Sequence, residues 1–481
     1  MLTKARCVVL PAFTLTSLCE PSDPGALHTI IPFLSSDCPS LEYYRRPVER
    51  QYSLFSESDT YSYNRLPIVL NGDGSPWTEA NLYLLSLLES DFKQNMATYH
   101  GIGDDLAGFR RYLEDEELDF TQFHRRKLHR PTYRYRGFLR LQIELRKISP
   151  NTARRRMGSV IQFYRWLINE ALISPEHPPW SDTEALIKFT NTYGFSFFKE
   201  IKTTNLAIRA PKSTNPFDGT IFDSGKLKPL LPLEQKALVE SLVELGNTQM
   251  LLIHLLALFS GARIQSVLTF QVHHMQLNLP EELTEIRIPV GPGTGIDTKY
   301  DKRLTLFIPR WLYEKLRLYT FCQDAQKRRA RAENYSDEQY LFLSNRGTPL
   351  YTSRQDQTSF NAKNSQRYLH NGESVRQYIS ARVIPLVRKK LELPSFRYKF
   401  HDLRATYGMN LTDQKMQFVR EDKITFHQAR EFVKARMGHE SHQTTDIYLN
   451  YRQSFELIHQ AQTNFEKHIE ELVGVAMGKS L

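Results

Sequence analysis

The chain is poor in cysteine and has no long uninterrupted apolar run. Its four cysteines, Cys7, Cys19, Cys38 and Cys322, include no Cys-x-x-Cys pair. That excludes a disulfide framework and a zinc module of recognised ligand spacing, and it fits a reducing cytoplasm. The longest apolar stretch, Met250–Phe259, is interrupted by His254. It is too short to span a bilayer, so it reads as a buried helix, and no membrane partner is expected. Nor is a secretory leader expected. MLTKARCVVLPAFTLTSLCEP opens with two cations, but Pro11 and the threonines break its apolar part and no small-residue cleavage site follows. What is present is 481 residues with 41% hydrophobic side chains. Such a chain can bury two or three domain cores and is not expected to be disordered throughout.

Charge is unevenly placed. The net charge is +10, and between Arg125 and Arg156 there are 12 Lys and Arg against one acid, Glu144. The remainder is near neutral. Tyr133, Tyr135 and Phe138 are interleaved in this strip. A charge run is usually a solvated face, but one this one-sided, with aromatics inside it, favours a surface for a phosphate backbone. Arg125, Arg126, Lys127, Arg130, Arg134, Arg136 and Arg155 are its candidate contacts.

Along the chain, residues 1–72 show no sustained period and read as a loosely structured extension. Helical spacing begins near Trp77, with Leu82, Leu85, Leu88 and Phe92, and continues through Leu106–Leu118. Ser149-Pro150 predicts a helix start. Met157, Val160, Ile161, Tyr164, Leu167 and Ile168 then form its core stripe, with Arg155, Ser159 and Gln162 on the opposite face. A helical domain over 73–200 and a polar linker over 201–228 follow from this pattern. A second domain starts with a helix over Leu230–Leu245. Its one hairpin signal is the alternation of Ile286, Ile288 and Val290, a glycine-rich turn, then Leu304, Leu306 and Ile308. Phe455, Ile458, Phe465, Ile469 and Leu472 make a helical stripe in Ser454–Val473.

Three short segments carry candidate chemistry: LFSGARIQS with Arg263, KFHDLRATYG with His401 and Arg404, and RMGHESHQTTDIYLNY with His439 and Tyr448. Two arginines at loop-to-helix junctions can clamp a phosphate. A tyrosine can act as a covalent nucleophile but has a reference pKa of about 10, so it needs nearby positive charge and a proton acceptor. His401 and His439 can supply these. Lys299, on the hairpin turn, is placed to protonate a leaving alkoxide. Taken singly, each has a plainer reading: Arg263 an ion-pair partner, His401 a helix cap, His439 part of a Gly-His turn, Tyr448 a core side chain. Tyr407, Tyr451, His442 and the pair His273-His274 read as packing or exposed residues. His401, Asp402, His439 and His442 lack a recognised metal-ligand spacing, so no metal and no cofactor is expected.

In this order the segments resemble the tyrosine recombinase (phage integrase) family. The matching positions are Arg263 in SGAR, Lys299 in DTKYDKR, His401 and Arg404 in HDLR, His439 in MGHES, and Tyr448 nine residues later. The resemblance covers about 229–452, extends more weakly to 77–200 and does not reach the first 72 residues. Three departures stand out. Ser266 occupies a place where the family often has an acid, and Ala405 one where it often has a histidine. Arg404 and His439 are 35 residues apart, which suggests an insertion within Met416–Arg430. Lys302 also lies on the turn beside Lys299.

The resemblance implies a mainly α fold: a helical core-binding domain, then a mixed α/β catalytic domain over 229–452 with a small antiparallel sheet, together forming a clamp on duplex DNA. It implies a metal-independent DNA strand transferase in which Tyr448 forms a 3′-phosphotyrosyl bond, Arg263 and Arg404 hold the phosphate, Lys299 is the acid, and His401 and His439 assist. The implied partners are double-stranded DNA and further copies of the chain, a tetramer in the synapse, with 453–481 docking in trans. Accessory DNA-bending proteins and a nucleoid location belong to the same expectation. The alternatives from the same residues are a type IB topoisomerase-like enzyme, a catalytically inactive DNA-binding regulator and, more distantly, a metal-dependent nuclease.

Overall fold

A computed structural model of the chain describes residues 4–14, 19–23, 25–31, 41–45, 62–89, 96–190, 196–209, 219–223, 225–278, 280, 282–332, 336–354, 356 and 369–451. The expected amphipathic segment Ser454–Val473 lies outside them. Two compact units are present: one from Met1–Phe189 and Ser196–Lys212, the other from Ser213–Gln357 and Leu369–Leu481. The chain is mainly α-helical, and the strands among the described residues pair only as two-stranded sheets. No helix among the described residues is long and apolar enough to cross a membrane.

The first unit departs from the expected pattern at its start. Residues without a sustained period form strands: β1 (Arg6–Thr14), β2 (Leu27–Ile31), β3 (Leu41–Arg45) and β4 (Ser62–Leu70). β1 pairs antiparallel with β4, Cys7 facing Val69, and β2 pairs with β3. These partners are distant in sequence or lack alternation, so a periodicity scan misses them. Helices α1 (Thr78–Glu89), α2 (Met96–Asp115), α3 (Pro131–Glu144) and α4 (Pro150–Asn169) follow. On α1, Asn81 answers both backbone groups of Val69, accepting from its N–H at 2.7 Å and donating to its carbonyl at 3.1 Å. Edge-on aromatic contacts fill the core, Trp77 against Phe163 at 5.2 Å and Phe109 against Tyr135 at 4.9 Å.

The start of α4 is the one expected from Ser149-Pro150: the Ser149 side chain accepts from the Thr152 N–H. Met157, Val160, Ile161, Tyr164 and Leu167 are buried, whereas Ile168 is partly exposed. The polar face is not simply solvated. Ser159 donates to the buried Asp105 of α2 at 2.9 Å, and Arg155 pairs with the same carboxylate at 2.9 Å. Beyond α4, β5 (Asp182–Thr190) pairs with β6 (Ser196–Thr204), strands where a helical end and a linker were expected.

The second unit opens with a minimal strand pair, β7 (Ile221–Phe222) and β8 (Lys226–Leu227). α5 (Pro232–Glu244) precedes α6 (Thr248–Ser260), whose apolar surface is buried nearly all round, as its composition requires. α6 ends at Gly261, in the left-handed region with φ 67°, and α7 (Ile264–Leu268) begins at once. The expected hairpin forms. β9 (Glu285–Val290) pairs with β10 (Leu304–Pro309) so that Ile288 faces Leu306 and Ile286 faces Ile308. Then come α8 (Arg310–Phe321), α9 (Gln323–Ala330), α10 (Glu373–Tyr378) and α11 (Ile384–Leu391). The long Arg404–His439 spacing is absorbed by α12 (Asp402–Arg420) and α13 (Phe426–Met437), the latter started by a Thr425–Gln428 capping box. Residues 442–451 are helical.

Gly261 has two reasons to be glycine: its positive φ, and a Cβ there would lie 2.5 Å from the Tyr407 ring. Gly261→Ala is expected to cost at least about 1–2 kcal/mol, the price of the left-handed region alone. Gly158→Ala, mid-helix with open space around its Cβ position, should stabilise by about 0.5–1 kcal/mol. Equilibrium denaturation of both variants checks this, and equal shifts of the same sign would contradict it.

Candidate active site

The motif residues arrive from separate elements of the second unit. Two helix ends do most of the placing. α6 terminates in Gly261 and α13 in Gly438, both with left-handed backbone, and each glycine is followed within two residues by a candidate group, Arg263 or His439. His401 precedes the first turn of α12, and Arg404 sits within that turn. Tyr448 lies in the helical stretch 442–451. Its ring fits because residue 408 is glycine: a Cβ there would lie 2.5 Å from the Tyr448 ring.

Arg404 is 6% exposed and its guanidinium is used in three directions. Nη1 donates to the Gly261 carbonyl at 2.8 Å, Nη2 to the Met437 carbonyl at 2.6 Å, and Nε to Asp223 at 3.2 Å. It therefore ties the ends of α6 and α13 together. The Tyr448 hydroxyl, fully buried, donates to the same Asp223 oxygen at 3.0 Å. The His439 Nε2 lies 3.4 Å from that oxygen, and its Nδ1 lies 3.1 Å from the Thr445 hydroxyl. The His439 and Tyr448 rings are 5.5 Å apart and tilted by 30°.

Electrostatics connects the remaining groups. Burial would raise the Asp223 carboxyl, but His439, Arg404 and Arg263 overcome this and hold it well below the usual carboxylate range. Burial, reinforced by the like charge of Arg404, brings Arg263 down to about 10, with Asp223 and Tyr448 opposing. Burial first, then Arg263 and Arg404, lowers His401 to about 4, and Lys299 adds to that repulsion. His439 is lowered by burial against the pull of Asp223. Burial and the neighbouring Asp223 push the Tyr448 phenol well above its ordinary value, with Arg404 and Arg263 opposing. The site thus holds two guanidinium groups, two neutral imidazoles, a protonated phenol and one carboxylate.

The two lysines of the turn differ. Lys302 donates to the Gly438 carbonyl at 2.6 Å and pairs with Glu440 at 3.3 Å, so it caps α13. Lys299 lies over the Tyr300 ring at 4.9 Å, within electrostatic reach of His401. Ser266, one of the departures from the resembled pattern, donates to the Asp297 carbonyl at 2.6 Å. The acid at the arginines is Asp223, from a segment that reads as linker. A lone aspartate in a polar stretch carries no signal that could have singled it out. Asp402 accepts the backbone N–H groups of Lys228 and Lys399. His442 lies beside Glu431 and Lys434, and Tyr407 packs against Gly261.

The basic strip belongs to the first unit and is mixed in use. Arg130 is 4% exposed and spends its guanidinium on the carbonyls of His124, Arg125 and Pro178. As a candidate phosphate contact it is corrected: its donors are consumed inside the fold. Arg134 pairs with Glu116, and Arg155 with Asp105. Burial lowers Arg136. Arg125, Arg126 and Lys127 are exposed, Lys127 reaching the Ser181 hydroxyl at 3.0 Å.

Two expectations follow. Replacing Arg130 with alanine strands three inward carbonyls and should cost about 1–3 kcal/mol or more in denaturation. Replacing Arg126 and Lys127 together should leave stability within about 0.5 kcal/mol. Equilibrium denaturation of both variants measures this, and a larger loss from the exposed pair than from Arg130 would refute it. The second concerns pH. His254, His274 and His401 are each lowered to about 4, burial being the first cause in all three. Unfolded histidine takes up a proton near pH 6.5, which the folded chain refuses until about 4. Stability is therefore complete above that unfolded value and falls as pH drops below it. Going from about pH 7 to about pH 5.5 should lower the unfolding free energy, the fully buried His254 contributing up to about 1.4 kcal/mol per pH unit. A flat or rising profile would contradict the neutral imidazoles.

No protein-family profile matches the chain, and no curated protein sequence matches it. Among solved structures, the chain is similar to the XerH site-specific recombinase bound to difH substrate in a pre-cleavage complex. That likeness has 13% identity and a TM-score of 0.43, and covers 79% of this chain and 88% of the other. It is also similar to the Tn1549 transposon integrase in complex with circular intermediate DNA, at 14% identity and a TM-score of 0.41, covering 78% and 94%. These two solved structures are a site-specific recombinase bound to its substrate and a transposon integrase bound to DNA.

Proposed function

We propose that this chain is a tyrosine-type site-specific DNA recombinase that cuts and rejoins duplex DNA through Tyr448, in the integration or excision of a mobile element. One observation carries the reading: a phenol hydroxyl, a guanidinium and an imidazole from two of the candidate segments gather at a single oxygen of Asp223, with Arg263 in electrostatic reach. An anion position bordered by a nucleophile and two arginines suits phosphodiester transesterification. The motif order described above supports the same assignment.

In this mechanism the scissile phosphate takes the anion position. The Tyr448 oxygen bonds to phosphorus, the bond to the 5′ oxygen breaks, and a 3′-phosphotyrosyl link remains. Arg263 and Arg404 hold the non-bridging oxygens. The neutral imidazole of His401 is a base available for the phenol proton, and His439 hydrogen-bonds the phosphate. Lys299 gives its proton to the departing 5′ oxygen. The link conserves the energy of the broken bond, so reversal by a 5′-hydroxyl of another strand needs neither nucleotide hydrolysis nor a metal. Exchange between two duplexes then requires further copies of the chain, a tetramer in the synapse, acting on DNA in the cytoplasm.

A nicked suicide duplex bearing the target site, incubated in EDTA, tests this. Wild type should accumulate a protein–DNA adduct that denaturing electrophoresis retains, and Tyr448→Phe should form none. No adduct from wild type, or an equal adduct from both, ends the proposal. Lys299→Ala should slow cleavage by about 10²–10⁴-fold. A substrate whose 5′ leaving atom is sulfur should recover most of that loss, because a thiol of pKa about 8.5 departs without an acid. Failure of the sulfur substrate to help Lys299→Ala would remove the lysine from the acid role.

A further inference from the structure

Among the described residues, Asp223 is the one anion in a site otherwise arranged for an anion from outside. A single oxygen, Oδ2, receives the Arg404 Nε at 3.2 Å and the Tyr448 hydroxyl at 3.0 Å, with the His439 Nε2 at 3.4 Å. These donors come from three different elements, and Arg263 adds its charge. A non-bridging phosphate oxygen would seek the same donors. Two anions cannot share them: like charges a few ångströms apart in a buried setting repel strongly. While the carboxylate is seated, Tyr448 is fully buried and its hydroxyl is committed as a donor.

The means of release is also built in. An aspartate has one methylene, so side-chain rotation moves its carboxylate only a few ångströms, and full withdrawal from the site needs the backbone to move as well. Asp223 follows β7, and its N–H donates to the Gly225 carbonyl at 3.1 Å. The β7–β8 pair has only two residues on each strand and is held by burial of Ile221 and Leu227, while Phe222 is 68% exposed. Beyond it the chain is pinned: the Lys228 N–H donates to Asp402 at 3.0 Å and the Leu230 N–H to Thr406 at 2.9 Å. The strand pair can therefore peel away at Lys228 with α5 in place.

We propose that Asp223 is a resident stand-in for the scissile phosphate, which seals Tyr448 in the free chain and is expelled, with the β7–β8 pair, when a phosphodiester enters. This deepens the recombinase reading and rests on it. The nucleophile becomes available only where a phosphate has displaced the carboxylate, so DNA itself unlocks the chemistry.

The full chain and Asp223→Asn are titrated with inorganic phosphate by calorimetry. Removing the competitor should tighten phosphate binding by about tenfold or more, and adding Arg263→Ala to Asp223→Asn should abolish the gain. In wild type, hydrogen exchange of the amides in β7 and β8 should accelerate when a target duplex is bound. That second measurement decides the matter if Asp223→Asn fails to fold. Equal or weaker phosphate binding by Asp223→Asn overturns the proposal, as does unchanged exchange on a bound duplex. So does slower adduct formation at unaltered phosphate affinity, which would make Asp223 a positioning residue. Two outcomes separate the proposal from the reading beneath it. Tighter phosphate and released strands without any adduct sink the recombinase assignment alone. A normal wild-type adduct with no change in affinity or exchange sinks only the stand-in.

Discussion

The buried contact between Arg404 and Asp223 is the interaction on which the candidate site depends. One guanidinium meets a carboxylate and two helix-terminal carbonyls, those of Gly261 and Met437. Both charged partners are almost fully buried, Arg404 6% and Asp223 3% exposed. Breaking such a pair from one side leaves an uncompensated charge, at a cost of about 3–5 kcal/mol. The same guanidinium therefore closes the gap between α6 and α13 and supplies positive charge where an anion can sit. Structural and chemical duties fall on one side chain, and only a planar group with five donors could serve all three directions.

Around this contact, the backbone delivers the other groups through helix ends. Left-handed glycines at 261 and 438 stop α6 and α13 and turn the chain within two residues. Arg263 and His439 follow those turns, so the glycines set where they emerge. Lys302 reinforces the second end by capping the Gly438 carbonyl, which leaves Lys299 as the turn lysine that His401 senses. Rigid ends matter here because a site built from four separate motifs keeps its spacing only if each is anchored to packed secondary structure.

The first unit divides its positive charge between two tasks. Arg130 and Arg155 serve the fold, the former by satisfying loop carbonyls and the latter by sharing Asp105 with Arg156 and Ser159. Arg125, Arg126 and Lys127 remain at the surface. A count of cations along the chain treats these alike. Burial separates them, because a guanidinium that loses water must find acceptors within the protein.

Local pattern alone determined the mainly helical character, the start of α4 at Ser149-Pro150, the β9–β10 hairpin and the glycine-terminated turns before Arg263 and His439. Each follows from neighbours in the chain: capping, alternation and left-handed backbone are short-range effects. The β1–β4 pairing, the inward use of Arg130 and the arrival of Asp223 at Tyr448 were decided only by tertiary structure. Asp223 and Tyr448 stand 225 positions apart. Nothing near either residue encodes the other, and only the folding of α6, α12 and α13 into one core brings that carboxylate to the phenol.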